Sequence, residues 1–137
     1  MPMHDHRATL DMAVPNWPDC IKSGRTPMPG LSLNHVEADN AVRMFDMLRL
    51  PDVPGKQLIR DATGDWMRDI VRAIFGSFNP QTGIRSIREF FVLVPKKSSK
   101  TTSAAAIMLV AAMTSRRPNA EFLFVAPTKE IADLAFR

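Results

Sequence analysis

Two kinds of hydrophobic pattern divide this chain. Between Asn34 and Gly76 the apolar positions recur at helical spacing. Ala41, Met44, Phe45 and Leu48 predict a helix over residues 36–50, opened by an Asn34-x-x-Glu37 approximation of a capping box and stopped by Pro51. After a Pro51–Lys56 turn, Trp66, Ile70 and Ile74 mark one side of a second helix over 65–75, with Met67 and Val71 beside them. Asp65, Arg68, Asp69 and Arg72 face the other way, and Gly76 stands where a C-cap is expected. Asn79-Pro80 and Gly83 break the chain into a loop over 77–84. From Glu89 the pattern changes. Phe90-Phe91-Val92-Leu93-Val94 is continuously apolar, which predicts a strand over 89–94 buried on both faces. Residues 101–114 are Ala-rich and apolar almost all round, a buried helix. A turn over 115–119 leads to a second apolar strand over 121–126 and a last helix over 129–137.

The order is therefore strand, loop, helix, strand, helix, preceded by two helices. A right-handed crossover makes the two strands parallel and adjacent or nearly so. The fold expectation is α/β: the start of a P-loop NTPase parallel sheet, in an incomplete domain over 34–137. Residues 1–33 carry Pro2, Pro15, Pro18, Pro27 and Pro29 with no sustained period, and predict an extended or disordered arm.

The chemistry lies where the first strand turns into the helix, at Pro95-Lys96-Lys97-Ser98-Ser99-Lys100-Thr101-Thr102. A helix N-terminus presents unpaired N–H groups and partial positive charge, which suit a phosphate. Lys100 adds a full charge, and Thr101 puts a hydroxyl where a magnesium ion bridging phosphates could use it. This is the physical logic of a P-loop, although Val94 and Ser99 occupy the two positions where G-x-x-x-x-G-K-[ST] has glycine. The plain alternative is a basic surface turn.

Charge sharpens the picture. The net charge is +4, but residues 1–79 hold 9 Lys and Arg against 10 Asp and Glu, whereas 80–137 hold 9 against 4. The basic half contains the loop, which makes phosphate-bearing partners plausible. The single cysteine, Cys20, excludes an internal disulfide and a Cys-only zinc site. His4, Asp5 and His6 could be drawn with Cys20 or His35 as a metal site, but their spacing matches no ligand framework. No run reaches the ~18 apolar residues of a membrane span, and residues 1–10 lack the apolar core of a signal peptide.

The Pro95–Thr101 run resembles the deviant Walker A of tailed-phage terminase large subunits, which commonly read Pro-Arg-Lys-Asn-Gly-Lys-Ser. The likeness extends over about 41–137. Gly55-Lys56 and Gly64-Asp65-Trp66-Met67-Arg68 look like that family's Gly-Lys and Pro-Trp-Gln-Arg elements. Ile74-Phe75-Gly76 and Ala120–Thr128 with Ala132 also fall in the family's order. The resemblance implies ATP and Mg2+ as cofactors. Lys100 would contact the β- and γ-phosphates and Thr101 the magnesium. Lys97, Ser98, Ser99 and Thr102 would line the phosphates. Lys96 would stand where the family often has an arginine near the γ-phosphate, as a point charge without the planar fork. Trp66 and Met67 would border the base. Met67 replaces a glutamine that reads adenine, and a thioether cannot do so.

The resemblance further implies a phage or prophage protein in the host cytoplasm, an ATP-driven DNA-packaging motor and endonuclease. Its partners would be double-stranded DNA, a terminase small subunit and the portal of a procapsid, with no membrane. Within these residues, however, no apolar run after Ala126 ends in an Asp or Asp-Glu to hold the metal, and nothing resembles the nuclease. The expectation is an N-terminal piece of such a protein, inactive alone. Two alternatives stay open. Ala126-Pro127-Thr128-Lys129-Glu130-Ile131-Ala132 also looks like a segment of superfamily-two helicases, and a degenerate loop could serve a non-catalytic nucleic-acid or partner-binding module.

Overall fold

The computed structural model describes residues 13–51 and 53–136. The chain forms helices α1 (Trp17–Lys22), α2 (His35–Met47), α3 (Ile59–Ala62) and α4 (Asp65–Gly76). A hairpin of β1 (Phe78–Asn79) and β2 (Ile84–Arg85) follows, then α5 (Lys100–Thr114), α6 (Lys129–Asp133) and a 3-10 turn, Leu134–Phe136. The fold is thus mixed, helical with a small two-stranded antiparallel sheet. His4, Asp5 and His6 lie outside the described residues. The arm carries α1, which sequence periodicity did not suggest. Its proline falls within the first turn, where a missing N–H costs nothing.

α2 and α4 form the centre. Asn34 caps α2 as its sequence suggests, its side-chain oxygen accepting from the N–H groups of Val36 (3.1 Å) and Glu37 (3.2 Å). The two helices run antiparallel. At one end Asn34 N–H donates to the Gly76 carbonyl (2.8 Å); at the other Arg68 of α4 meets Asp46 of α2 (3.0 Å). Gly76 is not the left-handed cap that its position suggested: it is the last residue of α4, and Ser77 is the C-cap in ordinary right-handed backbone. Its lack of a side chain serves close approach, since a Cβ there would lie 3.0 Å from Leu33 Cβ and 3.1 Å from Ala38 Cβ.

The core gathers Ala41, Val42 and Phe45 of α2, Ile59 of α3, Met67, Ile70, Val71 and Phe75 of α4, and Ala106 and Val110 of α5. The buried stripe of α2 lies slightly aside from the expected one: Ala38 and Val42 are buried and Met44 is exposed. Between α2 and α3 the 51–56 turn is closed by an antiparallel bridge of Arg49 with Leu58, and by Leu50 N–H to the Gln57 carbonyl (2.9 Å).

The two expected strands are corrected by the structure. Residues 89–94 and 121–126 join no ladder, and no parallel sheet exists among the described residues. A strand is defined by a ladder of such bonds with a neighbour, and among the described residues the one ladder longer than an isolated bridge is that of β1 with β2. The side chains of the two runs still alternate: Phe91 is 91% and Leu93 84% exposed, with Phe90 and Val92 less so, and Leu123 and Val125 repeat the pattern. The helix α5, apolar almost all round, likewise buries only the stripe Ser103, Ala106 and Val110, leaving Leu109 and Met113 in solvent. The last helix, expected over 129–137, is instead α6 followed by the 3-10 turn. No helix of the described residues is long and apolar enough to cross a membrane.

Candidate phosphate-binding loop

The loop forms where the sequence places it. Pro95 ends the apolar run, Lys96 and Lys97 turn, and α5 begins at Lys100. The turn is tight enough to need positive φ at two non-glycine residues, Lys97 (65°) and Ser99 (55°). The Ser98 hydroxyl donates to the Pro95 carbonyl and closes the turn from inside. Ser99, at φ 55° and ψ 32°, is the N-cap of α5 in left-handed backbone, and its carbonyl accepts the Ser103 N–H (2.9 Å). A left-handed residue followed by a right-handed helix turns successive N–H groups to one side, the concavity that holds anions in phosphate loops.

No side chain caps this helix N-terminus, and its first turn holds no acid. The N–H groups of the first turn therefore lack intrahelical acceptors. Lys100 puts positive charge at the positive end of the helix dipole, an arrangement that an anion would relieve. Lys96, Lys97 and Lys100 are exposed, and among the described residues none makes an ion pair. Thr101 is half-buried. Thr102 is exposed and borders an apolar cleft of about 490 Å³ between α5, the end of α2 and the last turn of the chain.

The backbone at Ser99 makes a direct prediction. An L-residue in left-handed conformation costs about 1–2 kcal/mol, and glycine does not pay this steric cost. Ser99→Gly should raise unfolding stability by about 1 kcal/mol, whereas Ser99→Val should lower it. Denaturant midpoints measure both, and equal midpoints for the two variants would mean that this backbone is not left-handed in solution.

The expected base-contacting residues sit elsewhere. Met67 is 3% exposed and part of the core, so its sulfur is spent on packing. Trp66 is half-buried, its ring lying over Gly64, where a Cβ would be 2.8 Å from Trp66 Cδ1. The arm straps α4 at this point. The Thr26 hydroxyl donates to the Trp66 carbonyl (2.6 Å), the Thr26 N–H to Asp69 (3.2 Å), and Arg25 pairs with Asp69. No hydrogen bond or ion pair among the described residues joins Trp66 or Met67 to the 96–102 loop.

Arg68, assigned by periodicity to the polar face, is in fact a knot. Its Nε donates to both Asp46 oxygens (3.0 and 3.1 Å), and its terminal nitrogens to the carbonyls of Thr63 (2.9 Å) and Arg60 (2.8 Å). No group of three or more His, Cys, Asp or Glu that could hold a metal occurs among the described residues. The Thr101 hydroxyl stands half-buried in the first turn of α5, next to Lys100. No protein-family model, curated protein or solved structure matches this chain.

Proposed function

We propose that residues 41–137 are the phosphate-binding part of an ATPase of the tailed-phage terminase large-subunit type, the motor that packages DNA. One observation carries the reading. Ser99 adopts left-handed backbone at the position where the resembled loop has glycine, directly before an uncapped helix that opens with Lys100 and Thr101. Lys56 and Asn119 show positive φ in other turns of the chain; what sets Ser99 apart is the uncapped helix that starts directly behind it. In this reading Lys100 contacts the β- and γ-phosphates and Thr101 the magnesium. Lys96 lends a point charge near the γ-phosphate, and Lys97, Ser98, Ser99 and Thr102 surround the phosphates. In the complete motor the exposed apolar runs 89–94 and 121–126, which form no ladder here, would pair with further strands into a parallel sheet. Double-stranded DNA, a small subunit and the portal would be partners of the complete motor.

The helicase-like reading is less well supported. It asks the 126–132 segment to grip a nucleic-acid backbone, and within that segment the Thr128 hydroxyl is engaged in capping α6, accepting the Ile131 N–H (3.4 Å).

Calorimetry with magnesium and ATP tests the proposal. Binding should be detectable but weaker than about 1 μM, or −8 kcal/mol, because Ser99 crowds the loop and no acidic strand completes the metal site. It should vanish in Lys100→Ala. Binding that survives Lys100→Ala would place the nucleotide elsewhere, and affinity tighter than micromolar would show a complete site.

A further inference from the structure

Thr102 belongs to two features at once. It follows Lys100 and Thr101 in the first turn of α5, and it lines the apolar cleft of about 490 Å³. The other walls include Met108 and Leu109 further along α5, Leu50 after α2, and Phe122 from the 121–126 run. At the α-helical rise the cleft runs about 15 Å along α5, from Thr102 to Ala112. It is open to solvent, for Leu109 is 48% and Phe122 42% exposed. The polar side chains at its border are those of Arg49 and Thr102. Arg49 is exposed, and one of its terminal nitrogens donates to the Lys56 carbonyl (3.0 Å). Among the described residues it makes no ion pair. The backbone beside it is engaged: the Leu48 carbonyl accepts the Ile59 N–H (2.8 Å), and the Leu50 N–H donates to the Gln57 carbonyl (2.9 Å).

The loop by itself accounts for a phosphate and nothing more. Met67 is in the core and Trp66 lies over Gly64, so a nucleotide on the loop finds no surface for its base there. The cleft supplies one, continuous with the loop through Thr102. Phe122 offers a ring on which any base can stack, and Met108 a thioether that adapts to the shape of its neighbour. The volume falls in the range of small-molecule sites. Lys100, two residues before Thr102, and Arg49 at the border favour the apolar part of an anion over a neutral or cationic ligand.

We propose that this cleft holds the base of a nucleotide whose phosphates lie on the 96–102 loop, and that it does not select adenine over guanine. The inference rests on the phosphate reading of the loop. Strong selection between bases requires buried polar groups that the wrong base leaves unpaired. Here the polar side chains are one hydroxyl and a guanidinium that only donates. Donors suit guanine, which presents its O6 and N7 acceptors side by side, at least as well as adenine.

The test is calorimetry of the full chain, with magnesium, against inorganic triphosphate, ATP and GTP. Both nucleotides should bind about tenfold more tightly than triphosphate, the contribution of one stacked base, with GTP no weaker than ATP. Phe122→Ala and Leu109→Gln are the variants. Neither residue is buried, and glutamine keeps good helix propensity, so Leu109→Gln remains decisive even where Phe122→Ala disturbs the fold. Each should weaken both nucleotides toward the affinity of triphosphate and leave triphosphate itself unchanged. Lys100→Ala should abolish binding of all three. If none of the three binds, or if binding survives Lys100→Ala, the loop reading falls and the inference with it. If binding depends on Lys100 but triphosphate matches the nucleotides, or both variants bind ATP and GTP as the wild type does, the inference alone is overturned. ATP bound more than about tenfold tighter than GTP would overturn it too, by showing polar readout of the base.

Discussion

Arg68→Ala should destabilise the chain by about 3 kcal/mol, the largest effect expected of a polar substitution here. The change leaves Asp46 without its cation, and the Thr63 and Arg60 carbonyls without their donor. α2, α3 and α4 are all tied through this one guanidinium, so no neighbour can replace it. A melting temperature lower by roughly 10 °C is the expected reading. Arg68→Lys should recover part of the loss, because it restores the charge opposite Asp46 without the fork that reaches the carbonyls. Arg72→Ala is the control. Its pairing with Asp39, at 3.8 Å and in solvent, is worth about 0–1 kcal/mol. An Arg68→Ala chain as stable as the Arg72→Ala chain would mean that this guanidinium does not hold the three helices together.

The 137-residue chain should release no phosphate from ATP. In a longer protein that joins this loop to an acidic metal-holding strand, Lys100→Ala should cut turnover about 10²–10³-fold. The transferred phosphoryl group spreads its charge over oxygens that magnesium, the loop lysine and backbone N–H groups must surround. The lysine, the N–H groups and a hydroxyl are at the loop, whereas after Ala126 the sequence has no apolar run ending in an acid that could fix the metal. Lys97→Ala should cost far less, because Lys97 lies in the turn before the helix, whereas Lys100 opens α5 where the γ-phosphate would sit. Phosphate release by wild-type and Lys100→Ala forms of both proteins measures this. Turnover by the short chain that ignores Lys100→Ala would move the chemistry away from the loop.

Local rules made much of the fold readable. Asn34 announced α2 because capping depends on three residues, and Pro95 to Thr101 announced a turn into a helix because the change of polarity is abrupt. The central helix pair was visible in periodicity alone. The misreadings share a cause: they concern what lies opposite a residue. A continuous apolar run such as Phe90–Val94 signals two covered faces only if partners exist to cover them, and a strand only if a neighbour supplies hydrogen bonds. Gly76 has the right place for a left-handed cap, yet its reason is the Cβ of Ala38 on another helix. Met67 sits in a motif that suggested a ligand, but α4 turns it into the core. Within the site, residue types were legible while backbone sign was not: nothing in Ser-Ser-Lys says that the second serine has positive φ. The cleft beside Thr102 was hidden for a further reason, because the end of α2, α5 and Phe122 meet only in the folded chain.

The Arg68 knot also bears on the order of events during synthesis. Its partners, Asp46, Arg60, Thr63 and Asp65, all precede it, so a nascent chain can tie it as soon as α4 clears the ribosome. The apolar face made by Phe45, Ile70 and Val71, by contrast, waits for Ala106 and Val110 of α5, a delay of a few seconds at about 5–20 residues per second. For that interval the helical pair is held in register by charge while its greasy side is open. A chaperone therefore meets a preformed helical wedge rather than an unstructured thread.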